Sequence, residues 1–234
     1  YNQSPYKEIL THGFLVDQHG KKMSKSLGNV IDPHDVAEKH GVDILRLWVS
    51  MTNYEEEIVI APSILERTAD SYRRIRNTLK FILANIGNFS AEHVIPHEEL
   101  PTLDRWIIDQ VQALQKQTQE NYAKYRFSTV SRSLIDFCVN DLGAFYLDVI
   151  KDRLYTCGAN SHARRSAQTA LKIVFESLLH QILPILPFTA EEAWEHHVGH
   201  TQDSPLLHVW PSILAELLTP QERALVNRVI QIRK

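Results

Sequence analysis

Ser63-Ile64-Leu65-Glu66-Arg67-Thr68-Ala69-Asp70-Ser71-Tyr72-Arg73-Arg74-Ile75-Arg76-Asn77-Thr78-Leu79-Lys80-Phe81-Ile82-Leu83-Ala84-Asn85-Ile86 carries its apolar residues at helical spacing. Ile64, Thr68, Tyr72, Ile75, Leu79, Ile82 and Ile86 fall three or four positions apart, which lines one face of a long helix and asks for a packing partner. Ser63 followed by Glu66 has the form of a capping box at its start. Arg73, Arg76 and Lys80 share the opposite, polar face, and Arg74 stands four residues after Asp70.

The partners follow in the chain. A second helix is predicted from Thr102 to Asn121, with Leu103, Trp106, Ile107, Val111 and Leu114 inward. A third runs from Ser128 to Leu154, with Leu134, Phe137, Cys138, Leu142, Phe145 and Val149 inward and Gly143 loosening it by about 1 kcal/mol relative to Ala. Ser161 caps a fourth that ends before Pro184 and Pro187. Thr189-x-x-Glu192 and Thr219-Pro220-x-Glu222 open two more. Long amphipathic helices joined by short connections predict an antiparallel helix bundle.

Upstream, Ile9 to Val16 is rich in strand formers, and Asp17-Gln18-His19-Gly20 reads as a turn. Lys21 to Asn29 has neither period and reads as an exposed cationic loop. Asp32-Pro33 starts a short helix that Gly41 stops, and Asp43 is placed to cap the next, from Ile44 to Ser50. The expected fold is mainly α: a short β-hairpin and loop lead-in over 1–60, then an antiparallel bundle over 61–234.

The 234 residues are 44% apolar and 23% charged, an ordinary globular composition, with 25 Lys+Arg against 28 Asp+Glu. A net charge of −3 excludes a polybasic protein but says nothing about local patches. No apolar run approaches the roughly 20 residues that span a bilayer. Cys138 and Cys157 form no C-x-x-C, so neither a disulfide framework nor a cysteine-rich zinc site is expected, and a reducing cytoplasm is the natural compartment. Neither end looks like a natural terminus: Tyr1 is not an initiator Met, and Lys234 falls inside an apparent helix.

Lys22-Met23-Ser24-Lys25-Ser26 sets two ammonium groups three residues apart on a loop with two hydroxyls. A lysine is a compact point charge on a flexible stem, suited to following a moving phosphate. Such a clamp stabilises charge developing on a leaving pyrophosphate. Without its surroundings the same string is more often a solvated loop or a modification site.

The surroundings resemble a known family. Lys22 to Ser26, followed by Leu27-Gly28-Asn29-Val30-Ile31-Asp32-Pro33, is similar to the KMSKS signature of class I aminoacyl-tRNA synthetases. Gly41 to Val49, Ala69 to Thr78, Phe145 to Tyr155 and Ala163 to Leu171 resemble the isoleucyl enzymes in the same order. Valyl- and leucyl-specific relatives, or a stand-alone tRNA-binding module without a catalytic partner, are the alternatives.

The resemblance implies an isoleucine–tRNA ligase that joins isoleucine to ATP, releases pyrophosphate and transfers the aminoacyl group to tRNA(Ile). Lys25 would be the main stabiliser of the leaving pyrophosphate and Lys22 its assistant, with Met23, Ser24 and Ser26 shaping the loop. Mg²⁺ would accompany ATP, and the whole protein is expected to be a cytoplasmic monomer. Residues 1–60 would close the catalytic domain and begin the stem-contact fold, and 61–234 would be an anticodon-binding bundle incomplete at its C-terminus. The nucleotide-binding core, the editing insertion and the zinc-bearing end would lie outside the chain, so the chain alone would make no adenylate.

His197-Val198-Gly199-His200 matches the family's first signature as a string but follows the lysine loop instead of preceding it, and reads as coincidence. His196 and His200 beside Glu195 have helical metal-ligand spacing, but Gly199 spoils the geometry, so no metal ligand is assigned. For tRNA, the implied contacts are Arg46, Arg73, Arg76, Lys80, Lys151, Arg153, Arg164 and Arg165, each weighed against a solvated, salt-bridged role. Tyr155 reads as a base-stacking or a core tyrosine, while Trp48 and Cys138 read as core.

Overall fold

A computed structural model describes residues 4–197, 199, 203–214 and 217–233. It is mainly helical, as the spacing predicts. The lead-in contains β1 (Leu15–Val16), a tight turn at Lys25–Leu27, α1 (Pro33–His40), α2 (Val42–Met51) and β2 (Ile58–Val59). The bundle follows as α3 (Pro62–Ile86), α4 (Thr102–Ala123), α5 (Phe127–Asp136), α6 (Leu147–Thr156), α7 (His162–Ile182), α8 (Pro187–Glu195) and α9 (Pro220–Arg233).

The β reading shrinks. Of Ile9–Val16 only Leu15–Val16 is strand, and it pairs parallel with Ile58–Val59, while the expected hairpin is reduced to one antiparallel bridge between Val16 and Lys22. Gly13 makes the pairing possible. A Cβ there would sit 1.9 Å from the Glu56 carbonyl oxygen, and its own N–H donates to Tyr54 O at 2.8 Å.

Several starts differ from their local signals. Pro62 begins α3 one residue before Ser63, with Ala61 at the cap and no side-chain capping bond, because a proline in the first turn forfeits no hydrogen bond. α8 begins at Pro187, not Thr189. Asp43 does not cap α2, whose cap is Gly41. Local signals do hold at Asp32, at Ser161 and at the Thr219–Glu222 box, whose two partners bond reciprocally.

α3 and α7 run antiparallel, with Asn85 near the end of α3 meeting Gln168 near the start of α7, while Tyr72 in the middle of α3 meets Thr189 of α8. A buried polar ladder registers α4 against α7: Ser177 donates to Gln115 at 2.7 Å, Gln181 to Ser177 at 3.0 Å and Thr118 to Gln181 at 3.0 Å. Residues 137–146 join α5 to α6 as a π-helical segment, wound around Gly143, where the sequence expects loosening. Val149, expected inward, is exposed, because this wider winding rotates the face that follows it.

Two apolar cores result. The large one lies inside the bundle around Trp106, Ile107, Leu142, Tyr146 and Phe175. The small one holds Val36, Trp48, Ile60 and Leu65, with Met23 packed against it. α2 serves both, giving Leu47 to the large core and Trp48 to the small. Among the described residues no helix is long and apolar enough to cross a membrane.

The most buried charge is Asp104 of α4, with no exposed side-chain surface. It accepts two bonds from Arg153, at 2.6 and 2.8 Å, and one from the Tyr146 hydroxyl at 2.8 Å. Removing one partner of such a pair strands the other. Asp104→Ala is expected to cost about 3–5 kcal/mol, read by urea unfolding. A loss below about 1 kcal/mol, the worth of an exposed pair, would contradict this role.

Candidate functional site

The lysine loop is built around one carboxylate. Asp17 Oδ1 accepts from the amides of His19 and Lys21, each at 2.9 Å, and Asp17 Oδ2 accepts from Asn29 Nδ2 at 2.8 Å. Asn29 Oδ1 in turn takes the Ser24 amide at 2.9 Å. One aspartate and one asparagine therefore tie both ends of the loop together across twelve residues. Inside this frame Ser24 caps the turn Lys25–Leu27, accepting from the Leu27 amide, and its hydroxyl lies 3.0 Å from that of Ser26. Gly28 closes the turn at φ +64°, a conformation that a side chain would strain. Met23 packs against the small core and anchors the loop below its exposed lysines.

The frame determines the loop's electrostatics. Asp17 spends its oxygens on amides and Asn29, not on an ammonium. Lys21, Lys22 and Lys25 are exposed and make no ion pair among the described residues. Lys22 Nζ lies 4.7 Å from the centre of the exposed Phe14 ring, a cation–π contact that places the side chain without neutralising it. The sequence places Asp17 in a turn and Asn29 at the end of the loop but assigns neither a role in framing it. An aspartate opening a turn is a signal, but its bond to Asn29 is visible only in the fold.

The proposed tRNA residues separate into two groups. Arg153 and Arg165 are structural. Arg153 is committed to Asp104, and the buried Arg165 donates to Gln168 at 2.8 Å, Asn160 at 2.9 Å and Asn88 O at 3.3 Å, with His93 Nε2 at 3.2 Å. Arg46, read as free to touch RNA, instead donates to Pro184 O at 2.8 Å and Ile185 O at 2.9 Å. Each reassignment comes from a partner far away in sequence.

The remaining cations are more open. Arg73 pairs with Asp70, the position expected of Arg74, and Arg76 meets Glu192 of α8 at 3.2 Å. Lys151 pairs with Asp148 at 3.1 Å, and both are half-exposed. Arg164 follows the cap of α7, and Lys80 is exposed. Arg76 and Lys80 line a cavity of about 390 Å³ between α3 and α8, floored by Leu79 and Leu83, with Glu192 and His196 on its other wall. Tyr155 is exposed, and Trp48 and Cys138 are buried, with burial pushing the Cys138 thiol up to about 12.

His197 lies in the core against Phe175 and Trp194, with Nε2 3.3 Å from Glu176. That is no place for a phosphate-binding histidine. His200 lies outside the described residues. No group of three His, Cys, Asp or Glu side chains placed to hold a metal occurs among the described residues.

Residues 104–234 match the family described as the anticodon-binding domain of tRNA ligase, and residues 1–61 match class I tRNA synthetases (I, L, M and V). The chain belongs to the class I tRNA ligase family. An isoleucine–tRNA ligase of Pseudomonas fluorescens is 52% identical over 217 residues, 92% of this chain and 23% of the relative. One from Pseudomonas entomophila is 50% identical over 233 residues, 98% of this chain and 25% of the relative. The chain thus spans about a quarter of the length of these curated relatives. In fold it is similar to the Agrobacterium radiobacter LeuRS solved with tRNA and LeuAMS, at TM-score 0.64 and 22% identity over 86% of this chain and 24% of that one. Mycobacterium tuberculosis methionyl-tRNA synthetase gives 0.63 at 19% identity, over 78% of this chain and 36% of that one.

The bond from Asn29, followed by the Lys21 amide, holds the Asp17 carboxyl below its ordinary value of 3.8. A carboxyl lowered in the folded state stabilises it fully above the unfolded value and loses that contribution as pH falls through the folded one. The loop frame is therefore intact at neutral pH. The His19 and Lys21 amide resonances should shift with a common midpoint below 3.8. A midpoint at or above the ordinary value would contradict the Asn29 bond.

Proposed function

We propose that this chain is the part of an isoleucine–tRNA ligase that supplies the pyrophosphate-stabilising lysine loop and the tRNA-binding helices. Residues 1–60 are its end of the catalytic domain and stem-contact fold, and 61–234 its anticodon-binding bundle. The observation that carries the reading is a loop whose lysines are exposed and, among the described residues, unpaired while Asp17, which frames it, is occupied by amides and Asn29. The names of its relatives supply the amino acid.

In that reaction the isoleucine carboxylate attacks the α-phosphorus of ATP, the bond to the β-phosphate oxygen breaks, and pyrophosphate carries the electron pair away. Negative charge grows on the leaving oxygens. Lys25, exposed at the start of its turn, offsets it at the point where it develops, and Lys22 assists from the flank of the loop. Ser24, Ser26 and Met23 keep the two ammonium groups in place. Mg²⁺ arrives with ATP as part of the substrate, and zinc belongs to segments outside this chain.

On the bundle, Lys80, Arg73, Arg76, Lys151 and Arg164 remain the phosphate contacts for tRNA(Ile). Arg46, Arg153 and Arg165 instead hold the surface that presents them. The whole protein works as a cytoplasmic monomer.

In the full-length protein, Lys25→Ala should lower isoleucine-dependent pyrophosphate exchange by roughly 10²–10³-fold, the usual effect of removing a charge-stabilising donor. The KM for isoleucine should stay within about threefold, because the loop does not touch the amino acid. An unchanged exchange rate would overturn the role of Lys25.

A further inference from the structure

α2 grips the turn between α7 and α8 at both of its ends. Asp43 Oδ2 accepts from the Thr189 amide at 2.7 Å and from the Thr189 hydroxyl at 2.6 Å. Three residues along, Arg46 donates through Nε to Ile185 O and through Nη2 to Pro184 O. The carboxylate meets the first turn of α8 and the guanidinium meets carbonyls just past the end of α7, each the sign that a helix end attracts. α8 has no side-chain cap of its own, so Asp43 supplies one from 146 residues away.

Thr189 makes the grip a three-helix junction, since its hydroxyl also lies 3.0 Å from that of Tyr72 on α3. The opposite face of α2 carries Trp48, which packs in the small core with Met23 against it. At the C-terminal end of α2, Ser50 meets Ser131 of α5 at 2.7 Å. α2 is therefore bonded to α5 and α8, and through Thr189 to α3, while the lysine loop rests on it by apolar packing.

This is a costly way to join helices. Asp43 is buried, and its second oxygen, Oδ1, has no partner. Apolar side chains would hold α2 against the corner without that desolvation, but they have no preferred direction. Two charged groups, each making two bonds, fix an angle.

We infer that Asp43 and Arg46 are positioning residues that set the angle between the lysine loop and the tRNA-binding bundle. The inference rests on the ligase reading above. A tRNA held by the bundle meets the active site only if that angle is right, and a small rotation at α2 is magnified along α7, which is about 30 Å long. The clamp thus acts on transfer to tRNA and leaves adenylate formation alone.

The test uses full-length protein with Thr189→Val, which removes one donor at near-constant volume, and Arg46→Gln, an exposed change that spares the core. Pyrophosphate exchange without tRNA should stay within about twofold for both. The kcat for tRNA charging should fall about tenfold or more, with the tRNA KM nearly unchanged, and Thr189→Ser should restore it. Parallel loss of exchange and charging would reduce the clamp to a folding role, and unchanged charging would remove it altogether. A raised tRNA KM at normal kcat in Arg46→Gln would return Arg46 to direct tRNA contact and overturn the inference. Wild-type protein without isoleucine-dependent exchange would defeat the ligase reading itself.

Discussion

The bond from Asp43 to the start of α8 is the constraint on which the rest of the molecule depends. Without it α8 begins with an uncapped turn, Thr189 loses the acceptor for its amide, and the three-helix junction with Tyr72 has no centre. The lysine loop stands on the small core, the small core packs on α2, and α2 is joined to the bundle through this corner. Apolar burial supplies most of the stability. The polar corner supplies the direction.

The same division of labour recurs on a smaller scale in the loop. Met23 and the small core hold it down, while Asp17 and Asn29 give it shape. Because Asp17 is satisfied by amides, the loop gains order without neutralising its own lysines. An ion pair from Asp17 to Lys22 or Lys25 would have ordered the loop just as well and weakened it as a phosphate clamp. The net charge of −3 is compatible with this arrangement, since it averages over the whole chain.

What the sequence made legible was local or periodic. The face of α3, the caps at Asp32 and Ser161, the box at Thr219 and Glu222 and the order of the bundle all follow from residues within a few positions of each other. The lysine loop was legible as a string. What the sequence hid was every pairing across long separations. Thr189 and Glu192 look like a helix start, but the Thr189 hydroxyl is engaged with Asp43. Arg153 and Arg165 look like surface cations until Asp104 and Asn88 are seen beside them. A basic residue near a helix end has the same local signature whether it faces RNA or a buried acid, and only the fold decides.

The claim that this chain carries an RNA-facing bundle is tested most directly by titrating it with tRNA(Ile) and with an unrelated tRNA over a range of salt. The account predicts weak binding that favours tRNA(Ile) and falls steeply as salt rises, through release of counterions from the contacted phosphates. Equal affinity for both tRNAs, or an affinity insensitive to salt, would contradict it.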